Sequence, residues 1–280
     1  PESRAWFSKN ILQCAYNGVL QGQYYVNDWD MWWTDDEQAV KNSVCRSISG
    51  GPVYVSDKIG RTRPEVLKPI CYGDGGISVC DRSAMPTADC LVCDPRVNGR
   101  AMKIFNRVGE SGVVAAYNIS DTNGAVQGRL SAEDVRMEGC DLVYFEYFSR
   151  ECGVIKAGEG LSFDLESNDE FKLFTLVPLR NGRAIIGRID KYVSRGGVTA
   201  ESDGAFSLRE AGEIGVYSET PVTLLDGGMP LLTEQVGCLT VAKTEGTDIV
   251  IAPQPAGVSA FGIHVIKLSK HTPRNPKIIG

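Results

Sequence analysis

The sequence predicts an α/β segment joined to an all-β segment: the last units of a (β/α)8 TIM barrel over residues 1–85, then an antiparallel β-sandwich over residues 86–280. Three observations carry this. Residues 1–85 alternate helical patterns with short apolar runs across brief connections, the order of parallel βα units. From Pro86 onward apolar and polar residues alternate with period two, and Asn-Gly and Asp-Gly pairs punctuate the runs. A chain of 280 residues also exceeds one ordinary domain.

Over residues 3–20, Trp6, Phe7, Ile11, Leu12, Ala15, Tyr16, Val19 and Leu20 recur at three- and four-residue steps, which marks an amphipathic helix. Gly22 closes it, and Tyr24-Tyr25-Val26 reads as a short buried strand running into Asn27 through Trp33. Thr34-Asp35-Asp36-Glu37 has the form of a capping box opening a second helix to about Ser49. Gly50-Gly51 ends that helix, Pro52 blocks its continuation, and Val53-Tyr54-Val55 reads as a second strand before Ser56-Asp57-Lys58. A shorter helix follows Pro64. A closed barrel has eight strands over about 250 residues, so the remaining strands are expected ahead of Pro1, and the chain reads as the C-terminal part of a longer protein. In the β region, strands are predicted at 102–108, 113–119, 142–148, 161–165, 171–179, 184–189, 213–217, 238–242, 249–252 and 263–268. Turns are predicted at Asn123-Gly124, Asn181-Gly182, Asp203-Gly204 and Asp226-Gly227. Two antiparallel sheets packed face to face close such a pattern.

Composition narrows the functional classes. A net charge of −6 opposes binding to a phosphate backbone, so no nucleic acid partner is expected. No apolar run approaches the roughly 20 residues of a membrane span, so no membrane partner is expected either. Nine cysteines, odd in number and widely spread, suit a reducing, cytoplasmic setting better than a disulfide scaffold. Cys90 and Cys93 form a lone CxxC without a second pair, too little for a closed zinc site, and no metal or cofactor is expected. The histidines, His264 and His271, both lie near the C-terminus, which disfavours a Ser-His or Cys-His nucleophile. Asn118-Ile119-Ser120 fits a glycosylation sequon but falls in a predicted strand and reads as chance. Gly73-Asp74-Gly75-Gly76 and Arg195-Gly196-Gly197 read as turns.

Functional groups of a βα barrel gather where its strands end. Asp28, Trp29 and Asp30 follow the first apolar run, and Ser56, Asp57 and Lys58 follow the second. In an extended segment Asp28 and Asp30 point one way and Trp29 the other. Carboxylates accept hydrogen bonds from sugar hydroxyls, and indole faces pack on the apolar side of a pyranose, so carbohydrate is the natural ligand class. Acids that cap the next helix and tryptophans that fill a core account for the same residue types. Residue types alone leave both open.

Three blocks carry a resemblance: Asp28-Trp29-Asp30-Met31; Ser49 through Asp57, reading S-G-G-P-V-Y-V-S-D; and Pro86-Thr87-Ala88-Asp89-Cys90-Leu91. With Lys103-Ile104-Phe105-Asn106, Ile186 through Asp190 and Gly196-Gly197, they make nearly the whole chain resemble the raffinose synthases, seed imbibition proteins and related α-galactosidases of glycoside hydrolase family 36. The resemblance implies a retaining mechanism with a carboxylate nucleophile and a carboxyl acid/base about 5 Å apart. Neither motif has a counterpart in this sequence, so no catalytic residue is assigned, both are expected upstream of residue 1, and the chain alone is expected to be inactive. The resemblance implies instead that Asp30 hydrogen-bonds galactosyl hydroxyls and Met31 lines the same pocket, with Asp28 and Trp29 as supporting neighbours. The expected ligand is an α-galactosyl oligosaccharide and the expected activity hydrolysis. A galactosyltransferase of raffinose synthase type, a non-catalytic carbohydrate binder and a structural domain are the alternatives. Uncovered strand edges and apolar faces predict aggregation or dependence on a partner, a homo-oligomer included.

Overall fold

The computed structural model describes residues 4–254, with side chains from Trp6 onward. The predicted strand at 263–268 and both histidines, His264 and His271, lie outside the described residues. Helix α1 (Arg4–Gln21) forms where the apolar spacing predicts it and buries Phe7, Ile11 and Ala15 along one side. On α1 the backbone itself makes contact at Gly18, where a Cβ would lie 2.2 Å from the Ala84 carbonyl oxygen. Helix α2 (Ala39–Ser49) is buried around its whole circumference except at Val40, and Gly50 ends it in the left-handed conformation at φ 78°. Two single turns, α3 (Pro64–Leu67) and α4 (Ala88–Leu91), complete the helices.

The strands are β1 (Met85–Pro86), β2 (Met102–Val108), β3 (Ser111–Tyr117), β4 (Val126–Ser131), β5 (Leu142–Glu146), β6 (Cys152–Ile155), β7 (Gly160–Leu165), β8 (Phe171–Pro178) and β9 (Arg183–Arg188). They continue with β10 (Val198–Ser202), β11 (Ala205–Leu208), β12 (Glu213–Ser218), β13 (Val222–Asp226), β14 (Met229–Pro230), β15 (Thr233–Val236), β16 (Leu239–Lys243) and β17 (Asp248–Pro253). Every ladder between them is antiparallel: a six-stranded sheet β1-β2-β3-β8-β5-β6, a four-stranded sheet β15-β16-β12-β9, a five-stranded sheet β10-β11-β17-β13-β14 and the hairpin β4-β7.

Period two decides how these layers stack. One face of the six-stranded sheet presents Ile104, Val113, Ala115, Tyr117 and Leu173 to Phe7, Ile11, Val44 and Ile48 of α1 and α2. Farther along that face, Val143, Phe145 and Val177 meet Ile186, Leu239 and Val241 of the four-stranded sheet. The opposite face places Phe105, Val114, Phe174 and Leu176 under the β4-β7 hairpin. The four-stranded sheet then packs its Ile214 and Val216 against Leu224, Ile249 and Ile251 of the five-stranded sheet. The described chain is therefore mostly β with few helices, and the helices share a core with the first sheet.

Several expectations for residues 1–85 change. Tyr24-Tyr25-Val26 is an exposed turn rather than a buried strand. The parallel pairing expected there falls later and shrinks to one bridge, Trp32 with Val55, in which the Ser56 amide donates to the Trp32 carbonyl at 3.0 Å. The Thr34–Glu37 capping box does not form, because α2 starts at Ala39 and the Thr34 hydroxyl donates to Asp57 at 2.7 Å instead. Gln38 opens the helix without a side-chain cap, and just ahead of it Asp36 accepts from the Gln38 amide at 2.6 Å. Among the described residues no helix is long and apolar enough to cross a membrane.

Candidate functional site

The loop from Asn27 to Trp33 joins α1 to α2 and is anchored at its start. The buried Asn27 amide donates to Ser83 Oγ at 2.9 Å, and Gly51 lies so close behind that a Cβ would sit 2.1 Å from the Asn27 oxygen. From there the side chains alternate. Asp28, Asp30, Met31 and Trp33 are exposed, whereas Trp29 and Trp32 are wholly buried in the core shared by α1, α2 and the first sheet. The acids and the tryptophan thus point to opposite sides as the spacing predicts, but Trp29 shows no face to solvent. Its indole N–H is buried without a hydrogen-bond partner, as is that of Trp32.

Asp28 organises the turn. Its Oδ1 accepts from the Asp30 amide and its Oδ2 from the Tyr54 hydroxyl, each at 2.8 Å. That bond to Asp28, with a smaller contribution from burial, pushes the Tyr54 phenol above its ordinary value. Asp30 adopts φ 68°, a conformation that Asp and Asn tolerate better than most residues, and its Oδ1 accepts from the Met31 amide at 2.8 Å. Its own carbonyl accepts from Arg46 Nε at 3.2 Å. Arg46 is wholly buried on α2, where its other nitrogens donate to Asn42 Oδ1 at 2.6 Å and to Asn10 Oδ1 at 3.3 Å. Arg46 thus places its positive charge against the Asp30 backbone.

Asp57 has a different task. It accepts from both the amide and the hydroxyl of Thr34 at 2.7 Å, and Thr34 Oγ1 accepts from the Arg63 amide at 2.7 Å. Burial pushes the Asp57 carboxyl up, but the bonds from Thr34 and Thr62 outweigh it and leave it below the ordinary carboxylate value. Asp57 therefore clasps two loops together. The sequence also did not single out Tyr54 or Arg46. Tyr54 sits within the apolar run Val53-Tyr54-Val55, and the only trace of Arg46 in the sequence is its four-residue step from Asn42 on a helix.

The loop offers carboxylate acceptors beside the exposed Met31, Trp33 and Tyr54, a combination that suits vicinal hydroxyls on a ring with one apolar face. Among the described residues no group of three or more His, Cys, Asp or Glu is placed to hold a metal. Cys90 and Cys93 separate, the first accepting from the Lys103 amide and the second donating to the Asp89 carbonyl. The Asn118 amide nitrogen is buried, donating to the carbonyls of Gly124 and Leu165.

The family described as raffinose synthase or seed imbibition protein Sip1 matches residues 1–130, which include this loop. The chain is 33% identical over 263 residues to a galactinol–sucrose galactosyltransferase of Pisum sativum, covering 79% of this chain and 33% of that protein. It is 39% identical over 120 residues to a galactinol–sucrose galactosyltransferase of Oryza sativa subsp. japonica, covering 42% of this chain and 15% of that protein. It is 36% identical over 110 residues to a stachyose synthase of Pisum sativum, covering 39% of this chain and 13% of that protein. The chain thus spans a third or less of the length of these relatives.

Proposed function

We propose that this raffinose synthase-like chain, which matches the raffinose synthase or seed imbibition protein family over residues 1–130, supplies a galactosyl-binding loop to a whole protein that transfers α-galactosyl groups between sugars. The carrying observation is the exposed pair Asp28 and Asp30, with the Asp30 carbonyl held by the buried Arg46 and the pair flanked by Met31, Trp33 and Tyr54. Asp30 and Met31 are the proposed sugar contacts, Asp28 fixes the turn through Tyr54, and Trp29 supports it from the core. Hydrolysis of the same glycosidic bond differs only in using water as the acceptor. The galactosyltransferase names of the relatives favour a sugar acceptor over the hydrolase expected from the motifs alone.

In the retaining scheme the galactosyl group passes through a covalent enzyme intermediate formed by one carboxylate while another protonates the leaving oxygen. Neither role is assigned to a described residue. The single parallel bridge between Trp32 and Val55 supports reading residues 1–85 as barrel units, with the sandwich following from residue 86.

The test is a titration of the chain with galactose and glucose, followed by tryptophan fluorescence and by proton NMR of the sugar. Saturable binding of galactose is expected, with no turnover of an aryl α-galactoside. Asp30→Asn keeps the left-handed turn and is expected to weaken binding by about 10-fold or more, the loss of a hydrogen bond to a charged group. Absence of saturable galactose binding, or binding indifferent to that change, would overturn the loop assignment. For the whole protein supplied with an α-galactosyl donor and a sugar acceptor, a galactosylated acceptor supports transfer; free galactose alone supports hydrolysis.

A further inference from the structure

Far from this loop, the first two layers of the sandwich meet at a pair of thiols. Cys152 opens β6, the edge strand of the six-stranded sheet, and Cys238 sits in the turn between β15 and β16 of the four-stranded sheet. The Cys238 amide donates to Cys152 Sγ at 2.9 Å, and the Cys152 thiol is 3.3 Å from the Val236 carbonyl oxygen. A Cβ on the intervening Gly237 would lie 2.7 Å from Cys152 Sγ, and that glycine takes φ 59°. The tight turn therefore carries the second cysteine to the first across 86 residues of sequence. Both side chains flank the core between the two sheets, and Cys238 also lines an open cavity of 510 Å³ with Ser218, Thr233, Gln235 and Thr240.

We propose that Cys152 and Cys238 form a redox-modification site that closes to an intrachain disulfide when a hydroperoxide reaches the partly exposed Cys152. The geometry favours it: the Cys238 amide nitrogen lies 2.9 Å from Cys152 Sγ, and the Cys238 thiol is near enough to hydrogen-bond the same sulfur. The electrostatics favour one attacking sulfur. The hydrogen bond from Cys238, chiefly its thiol and also its amide, pulls the Cys152 thiol down to about 7 against its burial, while Cys238 is pushed up by the same bond and by burial. In the first step the Cys152 thiolate attacks the terminal peroxide oxygen, the O–O bond breaks, and the leaving hydroxide or alkoxide takes a proton, leaving a sulfenic acid. The Cys238 sulfur then attacks that sulfenic sulfur. The S–S bond forms, the S–O bond breaks, and the departing hydroxide takes the Cys238 proton as water. Two thiols lose two electrons and two hydrogens, and the peroxide is reduced. A thiol reductant reverses it. The other cysteines provide the contrast: Cys45 and Cys80 are buried and their thiols pushed up by that burial, and neither is hydrogen-bonded to a second cysteine.

The experiment treats the chain with a small excess of hydrogen peroxide, blocks remaining thiols with N-ethylmaleimide, and maps peptides with and without reduction. The expected result is a Cys152–Cys238 cross-linked peptide within one chain, gone after reduction, that accumulates before any other cysteine is oxidised. In Cys238→Ser the sulfenic acid on Cys152 should persist and be trapped by dimedone, whereas wild type traps little. Alkylation of both Cys152 and Cys238 in peroxide-treated wild type, while other cysteines have oxidised, would overturn the proposal. That result needs no variant to fold.

Discussion

Arg46 holds a full positive charge in the interior with neutral acceptors as its hydrogen-bond partners: one carbonyl and two asparagine oxygens. Its planar fork serves three directions at once, which a lysine ammonium on a thinner stem cannot reproduce. Arg46→Lys should destabilise the chain by about 1–3 kcal/mol, through acceptors left unpaired in the interior, as read by urea unfolding. Sugar binding should weaken with it if the turn at Asp30 loosens. Asp57 gives a pH signature. Because its folded carboxyl lies below the ordinary value, its contribution to stability is full above the unfolded pKa, about 3.9, and disappears as pH falls through the folded one. Asp57→Asn should therefore lower the melting temperature at neutral pH and flatten its decline below about pH 4. At this scale the sequence disclosed which side Asp28 and Asp30 would face. It hid the partners, since the Thr34 hydroxyl could accept from the Glu37 amide in a capping box or donate to Asp57 far along the chain, and only the folded chain chooses.

Strong periodicity made whole elements legible. The strand predicted at 102–108 is β2 residue for residue, and α1 falls within a residue of its predicted ends. Among what escaped were segments with little alternation to detect. Strand β10 reads Val-Thr-Ala-Glu-Ser and is mostly exposed, and β6 is a four-residue edge strand beginning Cys-Gly. Tyr24-Tyr25-Val26 failed the other way, because its strand-favouring residues have no edge to pair with. The end of α2 is where an element-scale prediction belongs. Gly50 combines a left-handed backbone with an approach to Arg82 so close that a Cβ would lie 1.8 Å from its carbonyl oxygen, and Asn106 of β2 donates to the Ile48 carbonyl at 2.7 Å beside it. Gly50→Ala is expected to destabilise by about 2 kcal/mol or more, from backbone strain plus steric displacement, measured by chemical unfolding.

Across the molecule, the helices and the first sheet bury each other. Met102, Ile104, Val113, Tyr117 and Leu173 lie in the same cluster as Phe7, Trp29, Trp32 and Ile48. A chain beginning at residue 86 would uncover that face, so it should bind more of a hydrophobic dye and aggregate further than the full chain. Dye fluorescence and size-exclusion chromatography of the two chains side by side check both. The sequence split the chain by texture, helical before residue 86 and β after. Texture says nothing about whether two regions share an interior, because that depends on which faces meet. Helix α2 shows the result most plainly, since packing reaches it from nearly every direction. For a lineage accumulating neutral changes it is close to frozen ground, and for a chemist wanting to attach a reporter it offers a single handle, Val40.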